Sequence, residues 1–137
     1  MKIELNHKSE LLFESHNELG KTIQVGVSSD STDHTIRPME LLLMGVAGCS
    51  SIDVIGILKK QRQVINTYKV IVEGERTKSI PALFKTIHVE FHLEGEVQPK
   101  KALQAIHLSI DKYCSVSKIL EHTTTITTAL ILNNTKI

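Results

Sequence analysis

The stretch Arg37-Pro38-Met39-Glu40-Leu41-Leu42-Leu43-Met44-Gly45-Val46-Ala47-Gly48-Cys49-Ser50-Ser51-Ile52-Asp53-Val54-Ile55-Gly56-Ile57-Leu58-Lys59-Lys60 decides how this chain is read. Pro38 suits the first helical position, where a missing N–H would be unpaired anyway. Glu40 in the first turn and Lys59, Lys60 and Arg62 at the far end complement the helix dipole. The spacing predicts a helix from Pro38 to about Lys60, apolar nearly all round, which marks a helix buried on several faces. Gly45, Gly48, Cys49 and Gly56 recur at helical spacing. Glycine costs up to ~1 kcal/mol in a helix interior, so these positions require a packing reason. The apolar run from Leu41 to Leu58 has 18 residues, the lower edge of what crosses a bilayer. It also contains Ser50, Ser51 and Asp53, so a core helix is the expected reading.

On the N-terminal side, Ile3-Glu4-Leu5, Leu11-Leu12-Phe13 and Lys21-Thr22-Ile23-Gln24-Val25-Gly26-Val27 read as short strands, with a turn at Asn17-Glu18-Leu19-Gly20. Ser28 to His34 is polar and reads as a loop. On the C-terminal side, Tyr68 to Glu75 is a strand. In Thr86 to Glu94, Ile87, Val89, Phe91 and Leu93 point one way and His88, Glu90, His92 and Glu94 the other, as on a half-buried antiparallel strand. Pro99 opens a second helix to about Tyr113, Val116 to Leu120 reads as a short helix, and Thr123 to Leu132 is a β-branched strand. Strands, a long helix, two strands, helices and a strand make an α+β domain, a single one spanning residues 1–137.

The composition is globular, with 41% hydrophobic and 23% charged residues in 137, and without Trp the core must be aliphatic. A net charge of +1 gives no footprint for nucleic acid and no basic stripe for a membrane surface. Met1-Lys2-Ile3-Glu4-Leu5-Asn6 lacks the apolar run of a signal peptide, which leads us to expect the cytoplasm. The seven His residues do not cluster. His88 and His92 share a strand face but lie about 13 Å apart along it, so no metal site is expected. No glycine-rich phosphate loop or nucleophile elbow is present, and no cofactor is expected.

Two cysteines, Cys49 and Cys114, are 65 positions apart. Cys49 lies too deep in its helix for the N-terminal dipole to activate it, and on residue type alone it reads as a small packing residue. Cys114 falls at or just before a helix start, where free amides stabilise a thiolate, and reads equally as a reactive or a packed thiol. Asp53, the one charge in the apolar helix, needs a partner or water. It reads as an active-site polar group or, slightly better, as a structural hydrogen bond. Arg37 could meet a thiolate or a substrate oxygen. Twelve residues of helix span about 18 Å, however, so it reaches Cys49 only from a second subunit or across a broken helix.

Arg37 through Cys49, together with Tyr113-Cys114-Ser115-Val116-Ser117-Lys118-Ile119-Leu120, resembles the OsmC/Ohr family: the first segment its Pro-Glu-x-Leu-Leu…Gly-Cys helix, the second its Cys-Pro-Val-Ser segment. The element order is similar along the whole chain. The resemblance implies an OsmC-like α+β fold of antiparallel sheets around a long buried helix, in an intertwined homodimer. It also implies thiol-dependent reduction of organic hydroperoxides and hydrogen peroxide. Cys49 would match the attacking cysteine and Cys114 the resolving one, closing a disulfide that a dithiol reductant opens. Arg37 and Glu40 would be the activating pair. Met39, Met44 and Asp53 would line the substrate pocket.

The sequence departs from the family pattern at three points. Met39 stands where family peroxidases place Glu directly after the helix-opening Pro, which leaves Glu40 rotated by about 100°. Ser115 replaces the usual Pro. No arginine precedes the loop, so Arg37 is the sole candidate activator. A divergent branch of the family is therefore expected. The alternative function is a non-catalytic dimeric module that holds an apolar small molecule.

Overall fold

The computed structural model describes residues 1–27 and 35–137. The loop expected at Ser28–His34 lies outside them. The chain divides into two compact units, Met1–Leu42 and Leu43–Ile137.

In the first unit, β1 (Ile3–Ser9), β2 (Leu12–Asn17) and β3 (Thr22–Gly26) form an antiparallel meander. The pairs Leu5↔Ser15, His7↔Phe13, Phe13↔Val25 and Ser15↔Ile23 put Ile3, Leu5, Phe13, Ile23 and Val25 on one face. The other face is polar: Glu4 pairs His16 at 3.5 Å and Glu14 pairs Lys8 at 3.6 Å. Ile3 (65% exposed) and Leu5 (50%) remain open on the apolar face.

Helix α1 runs Pro38–Lys60, the span its proline and terminal lysines predict. Glu40 accepts a hydrogen bond from the Arg37 amide at 2.8 Å, so its carboxylate caps the helix from the third helical position. Within the chain one stripe of α1 is buried, Val46, Ser50, Val54 and Leu58. Among the described residues none covers the opposite side, where Met44 (52%) and Ile52 (76%) are exposed, so burial on several faces is not completed within one chain. By length and composition α1 could cross a membrane.

The second unit holds a four-stranded sheet in the order β4 (Val64–Arg76), β5 (Phe84–Glu96), β6 (Thr125–Leu132) and β7 (Thr135–Lys136). Ile87, Val89, Phe91 and Leu93 are buried, as their alternation predicts. The sheet is mixed, not antiparallel throughout, because β5 pairs β6 in parallel. The intervening α2 (Pro99–Leu108) and α3 (Ser115–Leu120) make the crossover that a parallel pair requires. Gly74 on β4 has a packing reason, since a Cβ there would sit 2.5 Å from the Phe84 ring and 3.1 Å from Leu43 of α1. The helix expected to continue to Tyr113 leaves α geometry after Leu108 and makes a π turn over Ser109–Tyr113. Such wide turns recur beside functional sites.

Candidate active site

The site grows from three local features. α3 packs against α1 at Gly45, where an added Cβ would stand at an ordinary contact distance of 3.4 Å from Val116. One turn further on, Cys49 is half-buried. The π turn ends at Cys114, whose amide donates to the Ser109 carbonyl at 2.8 Å, and Cys114 is then the N-cap of α3. These constraints bring Cys49 and Cys114 together as neighbouring free thiols.

Cys114 is fully buried. Its Sγ accepts from the Ser117 hydroxyl at 3.1 Å and from the Ser117 amide at 3.4 Å. Burial pushes the Cys114 thiol up. The Ser117 hydroxyl and amide pull it down, and the neighbouring Cys49 pushes it up again. The amide expected at the helix start is thus present, but desolvation outweighs it.

A pH dependence follows. A raised folded pKa means that the folded chain holds this proton more tightly than the unfolded one. The associated stability is complete below the ordinary value of 9.0 and is lost as pH rises beyond it. Reduced wild type should therefore lose more Tm as pH rises beyond 9.0 than Cys114→Ala does. Scanning calorimetry of the two checks this. Tyr68, pushed up to about 12 by burial, titrates later and equally in both.

Asp53 accepts from the Ser109 hydroxyl at 3.1 Å, so the carboxylate ties α1 to the π turn. It also lines an open groove of ≈ 660 Å³ with Ile52, Gly56, Ile57, Lys60 and Tyr113. Met39 and Met44 do not line that groove. Met39 is half-buried in the first turn of α1, and Met44 is exposed further along it. Arg37 and Glu40 are exposed at the start of α1, and the helix continues unbroken to Cys49 and beyond. About 18 Å of helix therefore separates Arg37 from Cys49 within one chain. Among the described residues no His, Cys, Asp and Glu converge on a metal-sized site. His88 bonds Thr127 at 2.8 Å, and His92 bonds Glu90 at 2.6 Å.

Two site residues carry no assignment from sequence. Ser117 was legible in principle, three residues after a helix-start cysteine, at the spacing of an N-cap contact. Ser109 had no signal, because the π turn that aims it leaves no mark in the residue pattern.

The fold and site define an α+β chain that carries a buried and a half-buried free thiol side by side. The chain belongs to the OsmC-like protein family, whose model matches residues 30–129. It is 38% identical over 105 residues to Protein YhfA of Escherichia coli (strain K12), covering 76% of this chain and 78% of that protein. A hypothetical protein from Aquifex aeolicus VF5 shares its structure with a TM-score of 0.83 and 32% identity, over 96% of both chains. An organic hydroperoxide resistance protein from Elizabethkingia anophelis superposes with a TM-score of 0.72. It is 13% identical, with 98% of this chain and 96% of that one covered, so it shows the shared fold alone.

Proposed function

We propose that this chain is a thiol-dependent peroxidase that reduces organic hydroperoxides and hydrogen peroxide. The observation that carries the reading is the contact of two free cysteines 65 positions apart, one accessible and one buried. Half-buried Cys49 is open to substrate. Buried Cys114, with its proton held more tightly, suits the second step. The Cys49 thiolate attacks the peroxide O–O bond, the alcohol leaves with a proton, and Cys49 becomes a sulfenic acid. Cys114 displaces its hydroxyl as water, and a dithiol reductant restores both thiols. Membership of the OsmC-like family supports the same class, and a protein of the same fold carries the name organic hydroperoxide resistance protein. Stopped-flow oxidation of the reduced protein by cumene hydroperoxide tests it: Cys49 should react faster than free cysteine, and an equal rate would refute the reading.

The working unit in this proposal is a homodimer. The open face of α1 carries Leu42, Met44 and Ile52, and Gly48 there has nothing within 4 Å of a built Cβ among the described residues. A patch of this kind fits a second copy's helix at close approach. The three-stranded sheet likewise has an open apolar face that needs cover. A second copy would also supply the Arg37 that one chain cannot bring to Cys49. Ile52→Glu should weaken the dimer about a hundredfold or more while leaving the monomer folded, because it places an unpaired charge in the interface. Sedimentation velocity across a concentration series reads this. The reading places the protein in the cytoplasm, without a membrane or nucleic-acid partner. The groove beside Asp53 favours a second reading, an apolar-ligand module at the dimer interface. The thiol contact has no purpose in that reading.

A further inference from the structure

Serines in helices usually return their hydroxyl to a carbonyl three or four residues back. Ser50 and Ser51 do so, donating to the Val46 and Ala47 carbonyls at 2.7 and 2.6 Å. Ser117 does not. It is fully buried in α3, and its hydroxyl donates to the Cys114 sulfur at 3.1 Å, beside its own amide at 3.4 Å. Two donors from one residue restrict the torsion of the Cys114 side chain and occupy one side of its sulfur. Cys49 lies against the same sulfur from α1.

We propose that Ser117 is a positioning residue for disulfide closure, holding the Cys114 sulfur against Cys49 and stabilising the negative charge that develops on it. This deepens the peroxidase reading and rests on it. After peroxide has oxidised Cys49 to the sulfenic acid, the Cys114 S–H gives up its proton. Its sulfur then attacks the Cys49 sulfur, the S–S bond forms, the S–O bond breaks, and hydroxide leaves with the proton as water. Ser117 is unchanged throughout. In a buried site the developing thiolate has few donors, and a hydrogen bond to a charged sulfur is stronger than one to a neutral thiol. The titratable neighbour acting on Cys114 is Cys49. Asp111 and Lys112 in the preceding turn are exposed, and Lys118 of α3 pairs with Glu121 at 2.5 Å.

Two readouts test the proposal in the full chain. In a Cys49→Ser background, Cys114 is the lone cysteine, and its thiolate absorbance is titrated against pH. Ser117→Ala should move the midpoint upward and Ser117→Thr should restore it. With both cysteines present, Ser117→Ala should slow disulfide closure about tenfold, the scale of one hydrogen bond to a charged group. This applies after one equivalent of cumene hydroperoxide, with more Cys49 trapped by dimedone, and equally with diamide. Ser117→Thr should close at nearly the wild-type rate. The isosteric pair Ser117→Thr and Ser117→Val makes the same comparison should the alanine variant not fold. The titration and the diamide arm need no peroxide reaction, so they judge Ser117 even where Cys49 proves inert to peroxide. Hydroxyl-free variants with an unmoved midpoint, or with wild-type closure, would overturn the proposal.

Discussion

Cys49→Ser should remove peroxide consumption by the reduced protein, with a loss of at least about a hundredfold, since the other thiol of the site, Cys114, is fully buried and holds its proton more tightly. Cys114→Ser should behave differently. Cys49 should still react at close to its normal rate, but the oxidised state should stop at the sulfenic acid and accumulate as a dimedone adduct. Sustained turnover with a dithiol should then fall. The asymmetry comes from the environments of the two thiols. Cys49 is half-buried on α1, whereas Cys114 is enclosed, its thiol pushed up by burial. Equal loss of the first, fast oxidation in both variants would mean that the roles are not divided in this way. Quenched-flow alkylation with peptide mapping distinguishes the cases.

Phe91→Ala should be the most damaging single change to stability away from the site. Phe91 is fully buried at the centre of β5, opposite Val70 of β4 and Leu130 of β6. With no Trp and only three Phe, the chain has few large side chains to fill the resulting cavity. A buried Phe→Ala change costs about 3–5 kcal/mol, against a typical total stability of about 5–15 kcal/mol. The Tm should fall by roughly 10–20 °C. Lys85→Ala is the contrast. Its ion pair with Glu75 at 3.8 Å is exposed on both sides, and such a pair contributes about 0–1 kcal/mol. Thermal denaturation of the two variants in parallel checks both figures. A Phe91→Ala variant that melts with Lys85→Ala would contradict the core described here.

The parts of the fold that were legible in the sequence are those whose physics is local. Pro38 and the closing lysines bound α1, Pro99 opens α2, and strict alternation over Ile87–Leu93 marks the buried face of β5. What was not legible depends on partners. β4 extends over Val64–Arg76, beyond the segment Tyr68–Glu75 that its own residues suggest, because β5 pairs with it along nearly its whole length. The parallel β5–β6 pairing follows from the crossover and from no feature of either strand. The all-round apolarity of α1 could not say that only the Val46–Leu58 stripe is covered within one chain. At the site, both cysteines were visible, but their adjacency is a property of how α3 packs on α1, which neither segment carries alone. Glu40 drew attention as an acid after the helix-opening proline, and the structure gives its carboxylate to the helix cap. Ser117 sat within a recognisable segment yet gained a role only once its hydroxyl was seen to point at sulfur instead of at a carbonyl.

The central claim is that Cys49 and Cys114 of one chain act as a working pair. One equivalent of cumene hydroperoxide added to the fully reduced protein, followed by rapid quench, alkylation and peptide mass spectrometry, tests it most directly. The account predicts that Cys49 is consumed faster than free cysteine and that the product is an intrachain Cys49–Cys114 disulfide, two hydrogens lighter than the reduced chain. Cys49 surviving with the reactivity of free cysteine, or oxidised with Cys114 still a free thiol, would contradict it.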